Sequence, residues 1–249
     1  MVGPGSSFLC AEWGSNQGGG GGCAGFGLPA AAVVTAAEKS EDILAGLDRL
    51  YIDGEYVEAQ LASDPVIDPG AEDIFGYAPI ADESHVATAI AAARRAFDEG
   101  PWPRYSPQER AQVLIRFHAG LARQRDRLAQ LLIREGGVIY ADAWSRQVDI
   151  PLKHLANNIQ IALRDFSRQV HPEVVAVGEE KVVGSALVQR IPVGVVAAIS
   201  AYNYPTYLNL AKIGPALMAG NTVVLKPSPL TPFQALLHGQ IASEAGVPP

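Results

Sequence analysis

The hydrophobic pattern changes period along the chain, and each change marks an element. Val193–Ile199 is a continuous apolar run rich in Val and Ile, the pattern of a strand buried on both faces. A helical pattern follows from Pro205 to about Met218, with Gly220 as its stop signal. Asn221–Leu225 reads as the next strand. Thr231 and Pro232 open another helix, whose apolar face carries Phe233, Leu236, Leu237 and Ile241 and which ends at Gly246. The order β-α-β-α implies a parallel sheet with right-handed crossovers.

Upstream the pattern is more mixed. Leu50–Val57 is two short apolar runs around Asp53-Gly54, a strong hairpin signal. Pro65–Gly70 and Ile74–Ala78 read as short strands around a turn. Asp82 is a candidate N-cap for a helix over Glu83–Phe97, with Val86, Ile90 and Phe97 as its apolar stripe. Ser106-Pro-Gln-Glu109 is a capping box with Pro at the first helical position. It predicts one long helix to about Arg134, ended by Gly136-Gly137. Leu114, Phe117, Leu121, Leu128 and Leu132 share one face of that helix, and Arg116, Arg123, Arg127 and Arg134 share another. The Arg stripe reads either as a solvated or salt-bridging face or as a phosphate site. Residues 141–168 read as helical, bent near Pro151, with Trp144, Val148, Leu155, Ile159, Leu163 and Phe166 apolar. Val174–Val177 and Ala186–Ile191 form a second hairpin, expected to pack on something else, such as another subunit.

Composition narrows the class. The chain has 249 residues, 48% hydrophobic and 18% charged, so a sizeable core is expected. Its net charge of −7 argues against a nucleic-acid partner. Both cysteines, Cys10 and Cys23, precede the patterned body, so no disulfide framework is expected there and a cytoplasmic location is. The five histidines form no ligand pair, so no metal site is expected. Residues 1–38 hold no Lys or Arg and include the Gly18–Gly22 run. Residues 1–40 are read as a disordered Gly-rich leader without targeting character. No stretch reaches the about 18 apolar residues that would span a bilayer, so no membrane association is expected.

The candidate chemistry lies where the two parallel strands end. Asn203 follows the first strand and Lys226 the second. Ligands of open α/β sheets bind at the carboxyl ends of the strands. The usual G-x-G-x-x-G dinucleotide fingerprint, the P-loop and the G-x-S-x-G elbow are all absent. The missing Gly fingerprint disfavours a Rossmann-type dehydrogenase of the G-x-G-x-x-G kind.

Ile191–Pro205 resembles the strand and P-W-N-F-P segment of the NAD(P)-dependent aldehyde dehydrogenase superfamily. Pro215–Pro232 resembles that family's next strand and its K-P-S-E-x-T-P segment. Tyr51–Val57, Val66-Ile-Asp-Pro69, Ala91–Phe97 and Trp102…Glu109-Arg110 also fit, and the resemblance covers about residues 48–249. It implies a partial Rossmann-like parallel sheet (an α/β fold) with a β-hairpin from the oligomerisation domain. By this resemblance, residues 41–168 are the N-terminal part of a cofactor-binding domain, 169–191 the oligomerisation hairpin, and 192–249 an incomplete cofactor-binding βαβα segment.

The resemblance implies that Asn203 donates its side-chain amide to the oxyanion of the reacting aldehyde; the alternative is that Asn203 caps the helix beginning at Pro205. It implies that Lys226 contacts the adenosine ribose of NAD or NADP, with a plain surface lysine as the alternative. Ile199, Ser200, Ala201 and Tyr202 match positions beside the cofactor, and Ser228 a position near the adenosine. Pro229 stands where many NAD-preferring members have a Glu that would repel a 2′-phosphate, so NADP is also expected to be tolerated. Ala201-Tyr202 replace Pro-Trp, which keeps an aromatic wall and adds a hydroxyl.

The family's catalytic Cys, general-base Glu and pyrophosphate-holding Gly-rich helix start have no match within the 249 residues. The chain is therefore expected to be the N-terminal portion of an enzyme that oxidises a small-molecule aldehyde and is a homo-oligomer at full length. The competing expectation is a truncated isoform or pseudoenzyme acting through protein–protein contacts.

Overall fold

The computed structural model describes residues 43–59 and 63–249. The Gly-rich leader over 1–40 lies outside the described residues. Strands β1 (Leu50–Ile52) and β2 (Glu55–Val57) pair antiparallel, with Leu50 opposite Val57. Asp53 and Gly54 both take positive φ, the demand of a tight hairpin turn that Asp-Gly meets. Strands β3 (Asp64–Asp68) and β4 (Asp73–Ala78) form a second antiparallel pair, with a register shift between Val66 and Ile67.

Helix α1 (Glu83–Asp98) starts as its sequence predicts. The Asp82 side chain accepts the His85 N–H at 2.9 Å. Its apolar stripe does not face inward, however. Val86 is 47% and Ile90 50% exposed, whereas His85 and Ala92 are buried. The helix lies against the parallel strands through small residues, and Thr222 Oγ1 donates to the Ala93 carbonyl at 2.9 Å. Close approach to a strand selects the alanine face over the larger side chains.

The Ser106 capping box forms reciprocally. Glu109 N–H donates to Ser106 Oγ at 3.2 Å, and Ser106 N–H to Glu109 Oε2 at 2.7 Å. The expected long helix is two: α2 (Pro107–Arg123) and α3 (Arg125–Gly136), broken at Gln124. Leu114, Phe117, Leu121, Leu128 and Leu132 still share one core. The Arg stripe has structural partners. Arg116 donates to the Ala245 carbonyl, Arg127 to the carbonyls of Ile43 and Ala45, and Arg134 pairs with Asp68. Among the described residues only Arg134 makes the expected salt bridge; Arg116 and Arg127 bond backbone carbonyls, and these contacts favour a structural face over a phosphate site.

The bend expected at Pro151 lies just before it. Helix α4 (Tyr140–Trp144) runs into a π-turn (Ser145–Asp149) and then α5 (Ile150–Ala162), with Pro151 in the first turn of α5. Phe166 is exposed rather than core. The second hairpin is longer than its apolar runs, with β5 (Arg168–Val177) and β6 (Glu180–Val188) exposed throughout. Ile191 falls outside it.

Strands β7 (Val195–Ile199) and β8 (Thr222–Lys226) pair in parallel, as the β-α-β order requires. Helix α6 (Pro205–Met218) crosses between them, and α7 (Phe233–Glu244) follows β8. Full burial of the first strand is not observed. Ala198 is buried, but Ile199 is 64% exposed. Among the described residues this sheet has only two strands, so the outer edges lack the neighbours that would cover them.

Helix α6 is held at its carboxyl end. Trp102 Nε1 donates to the Leu217 carbonyl at 3.1 Å, and Arg110 Nε to the Met218 carbonyl at 2.9 Å. Gly220 then takes φ 89°, the left-handed turn that releases the chain into β8. Asn221 fastens that turn to the start of β7: its Oδ1 accepts the N–H groups of Val193 and Gly194 at 2.7 and 3.0 Å.

Candidate functional site at the carboxyl ends of the parallel strands

The register of the parallel pair sets Ile199 opposite Lys226. Ser200 N–H continues the ladder to the Lys226 carbonyl at 3.2 Å. The two strand exits therefore lie side by side, and the segments leaving them form one rim. The first carries Ser200, Ala201, Tyr202 and Asn203; the second carries Ser228 and Pro229.

Asn203 is exposed, and its side-chain amide has no hydrogen-bond partner among the described residues. The cap of α6 is Tyr204, not Asn203, and no side chain bonds the first-turn N–H groups. The capping alternative is thus corrected by the structure. The backbone carbonyl of Asn203 is engaged, accepting Gln147 Nε2 at 3.2 Å. Lys226 is exposed, and its ammonium reaches the adjacent Pro227 carbonyl at 3.3 Å. Ser200 Oγ is buried with no partner. Ser228 is buried, its Oγ accepting Leu230 N–H at 3.2 Å, while Pro229 is exposed.

Beneath this rim lies a polar network that the local sequence pattern does not announce. Gln234, fully buried on α7, accepts from Asn209 Nδ2 of α6 at 3.0 Å and donates to the Thr231 carbonyl at 2.9 Å. The N–H groups of Phe233 and Gln234 donate to the carboxyl group of Glu135 at 2.8 and 3.2 Å. Glu135, at the end of α3, thereby caps α7 from another helix. Burial pushes its carboxyl up to about 8, and the two N–H donors only partly oppose that shift. His238 is buried on α7 with neither ring nitrogen partnered among the described residues, and burial pushes it down to about 3. A cleft of about 150 Å³ between α2 and α5, lined by Ile115, His118, Asn157 and Gln160, contains none of the rim residues.

The strand-exit rim suits a dinucleotide. An exposed ammonium, bonded among the described residues only to the adjacent Pro227 carbonyl, can meet ribose hydroxyls, and the exposed Ile199 offers an apolar face to a ring. No cluster of metal-ligating residues occurs among the described residues.

Residues 56–249 match the aldehyde dehydrogenase family, and the chain belongs to it. The 3,6-anhydro-alpha-L-galactose dehydrogenase of Vibrio sp. is 35% identical over 201 residues, covering 80% of this chain and 40% of that protein. Among solved structures, aldehyde dehydrogenase C from Pseudomonas syringae, in complex with NAD+ and octanal, is similar with a TM-score of 0.71 and 34% identity. That likeness covers 82% of this chain and 39% of the other. A 3,6-anhydro-L-galactose dehydrogenase in complex with NADP is similar with a TM-score of 0.70 and 32% identity, over 80% of this chain and 40% of that one. The chain thus spans about 40% of the length of these relatives.

Proposed function

We propose that this chain supplies the strand-exit part of the NAD(P)-binding site and the oxyanion donor of an aldehyde dehydrogenase. The whole reaction converts an aldehyde, water and NAD(P)+ to a carboxylic acid, NAD(P)H and a proton. The observation that carries the reading is the juxtaposition of Ile199, Ser200 and Lys226 in register, with the uncommitted Asn203 amide on the same rim. When bound, the nicotinamide supplies the hydride acceptor.

The residues of this chain bind and polarise. Lys226 meets the ribose, Ser200, Ala201 and Tyr202 line the wall beside the cofactor, and Ser228 and Pro229 border the adenosine. With no carboxylate at Pro229, a 2′-phosphate meets no like charge there, so NAD and NADP are both accepted. Asn203 donates its amide N–H to the carbonyl oxygen as a nucleophile adds and negative charge gathers on it; one such donor contributes about 10²–10³ in rate. The exposed β5–β6 hairpin is read as an assembly surface between copies in the whole enzyme.

The binding reading is tested by titrating NAD+ and NADP+ into the isotope-labelled chain. Amide resonances of residues 199–203 and 226–228 are expected to shift, with a dissociation constant above about 1 mM, and Lys226→Ala to abolish the response. Shifts confined to other residues, or micromolar affinity, would count against it. The pure 249-residue chain is also expected to form no NAD(P)H with a panel of aldehydes, because neither Cys10 nor Cys23 lies in the matched region. Measurable steady-state turnover would refute that expectation.

A further inference from the structure

The π-turn at Ser145–Asp149 holds a residue whose role no local pattern reveals. Its widening follows from Pro151. The proline ring crowds the carbonyl four residues back, that of Gln147, and Pro151 has no N–H to offer it. The ladder instead closes five residues apart, with Ile150 N–H donating to the Ser145 carbonyl. Such insertions recur at functional sites.

The turn is pinned on both sides to the start of α3. Trp144 Nε1 donates to Asp126 Oδ1 at 2.7 Å. Arg125 makes a two-pronged pair with Asp149 at 2.7 and 2.8 Å, which holds the Asp149 carboxyl below the usual range. So fixed, the extra residue turns Gln147 and Val148 inward against α6.

Gln147 is only 5% exposed, and its amide is half used. Nε2 donates to the Asn203 carbonyl at 3.2 Å, while Oε1 is buried with no partner among the described residues. An unmet buried acceptor is destabilising, and an apolar side chain would fill the space without it. The donor end is therefore what the position gains. Between the Ser200 N–H and the Tyr204 carbonyl, this is the one hydrogen bond that holds the segment among the described residues.

We propose that Gln147 is a positioning residue: through the Asn203 carbonyl it fixes the backbone from which the Asn203 amide is aimed at the reacting oxygen. The inference rests on the oxyanion reading of Asn203 for its meaning, but its test does not need turnover.

The test follows the side-chain amide resonances of Asn203 in the asparagine-labelled full chain, identified by their loss in Asn203→Asp. Gln147→Leu is expected to shift and broaden them and to speed backbone hydrogen exchange over residues 201–204 roughly tenfold. Val148→Ala, a neighbouring packing loss, is expected to leave them in place. Gln147→Glu gives the discriminating readout. Protonated at low pH, the acid can donate to the carbonyl and restore the native resonance; ionised, it repels that carbonyl and the resonance is lost. If Gln147→Leu does not fold, the pH response of Gln147→Glu carries the test alone. An Asn203 resonance that ignores both Gln147 variants, or one that Val148→Ala displaces equally, overturns the proposal. A positive result here with no response in the nucleotide titration would leave the positioning role standing and remove the functional reading.

Discussion

Glu135→Ala is expected to destabilise the chain by about 2–4 kcal/mol, seen as a fall of roughly 5–15 °C in the unfolding midpoint. The substitution strips both acceptors from the buried N–H groups of Phe233 and Gln234 and leaves a cavity between α3 and α7. The contrast is Glu109, which performs the same capping chemistry in the open. Glu109→Ala is expected to lower stability far less, since water can satisfy what it abandons. Equal losses for the two variants would show that Glu135 is not the anchor of α7. Glu135→Gln should fall between wild type and alanine, because the amide oxygen retains one of the two bonds.

The stability of the chain is expected to peak on a plateau between about pH 4.5 and 6.5 and to fall on both sides. Glu135 ionises near 4.5 when unfolded but near 8 when folded. Between those values the native state holds a proton that the unfolded chain has released, so stability falls as pH rises, by up to about 1.4 kcal/mol per unit. His238 works the other way. It gains a proton near 6.5 when unfolded but only near 3 when folded, so stability falls as pH drops through that window. Where the windows overlap, the opposing slopes cancel. Urea midpoints measured across pH check this directly. Glu135→Gln should flatten the alkaline side and His238→Leu the acid side. A Glu135→Gln protein that keeps the alkaline fall would assign that fall to another group.

What was legible in the sequence was local. The Asp82 and Ser106 caps, the Asp53-Gly54 turn and the apolar runs of β7 and β8 each declare themselves within a few residues, and each is found in the structure. The family resemblance rests on the same kind of short motif. The local pattern misleads where a partner far along the chain decides the outcome. Val86 and Ile90 carry a correct helical period, but β8 approaches too closely to admit them. No Gly or Pro marks the break at Gln124; it sets Arg125 at the start of α3, where it meets Asp149. Asn203 and Lys226 stood out because they leave strands. Glu135, Gln147 and Gln234 gave no comparable signal. Glu135 lies about 98 residues from the helix it caps, and Gln147 lies 56 from the carbonyl it holds.

The contacts at the far end of α6 bear on its near end. Arg110 places a cation against the terminal carbonyl of Met218, and Trp102 satisfies that of Leu217. The negative pole of the helix is thus met by protein. At the opposite pole no side chain caps the first turn, and Asn203 precedes the cap residue Tyr204. The 14-residue helix consequently directs an uncompensated positive end, of about half an elementary charge, toward the Asn203 rim. A negative charge placed beside Asn203 would gain about 0.3–1 kcal/mol from that field. Arg110→Met, remote from the rim, would leave this pole intact while unfastening the other.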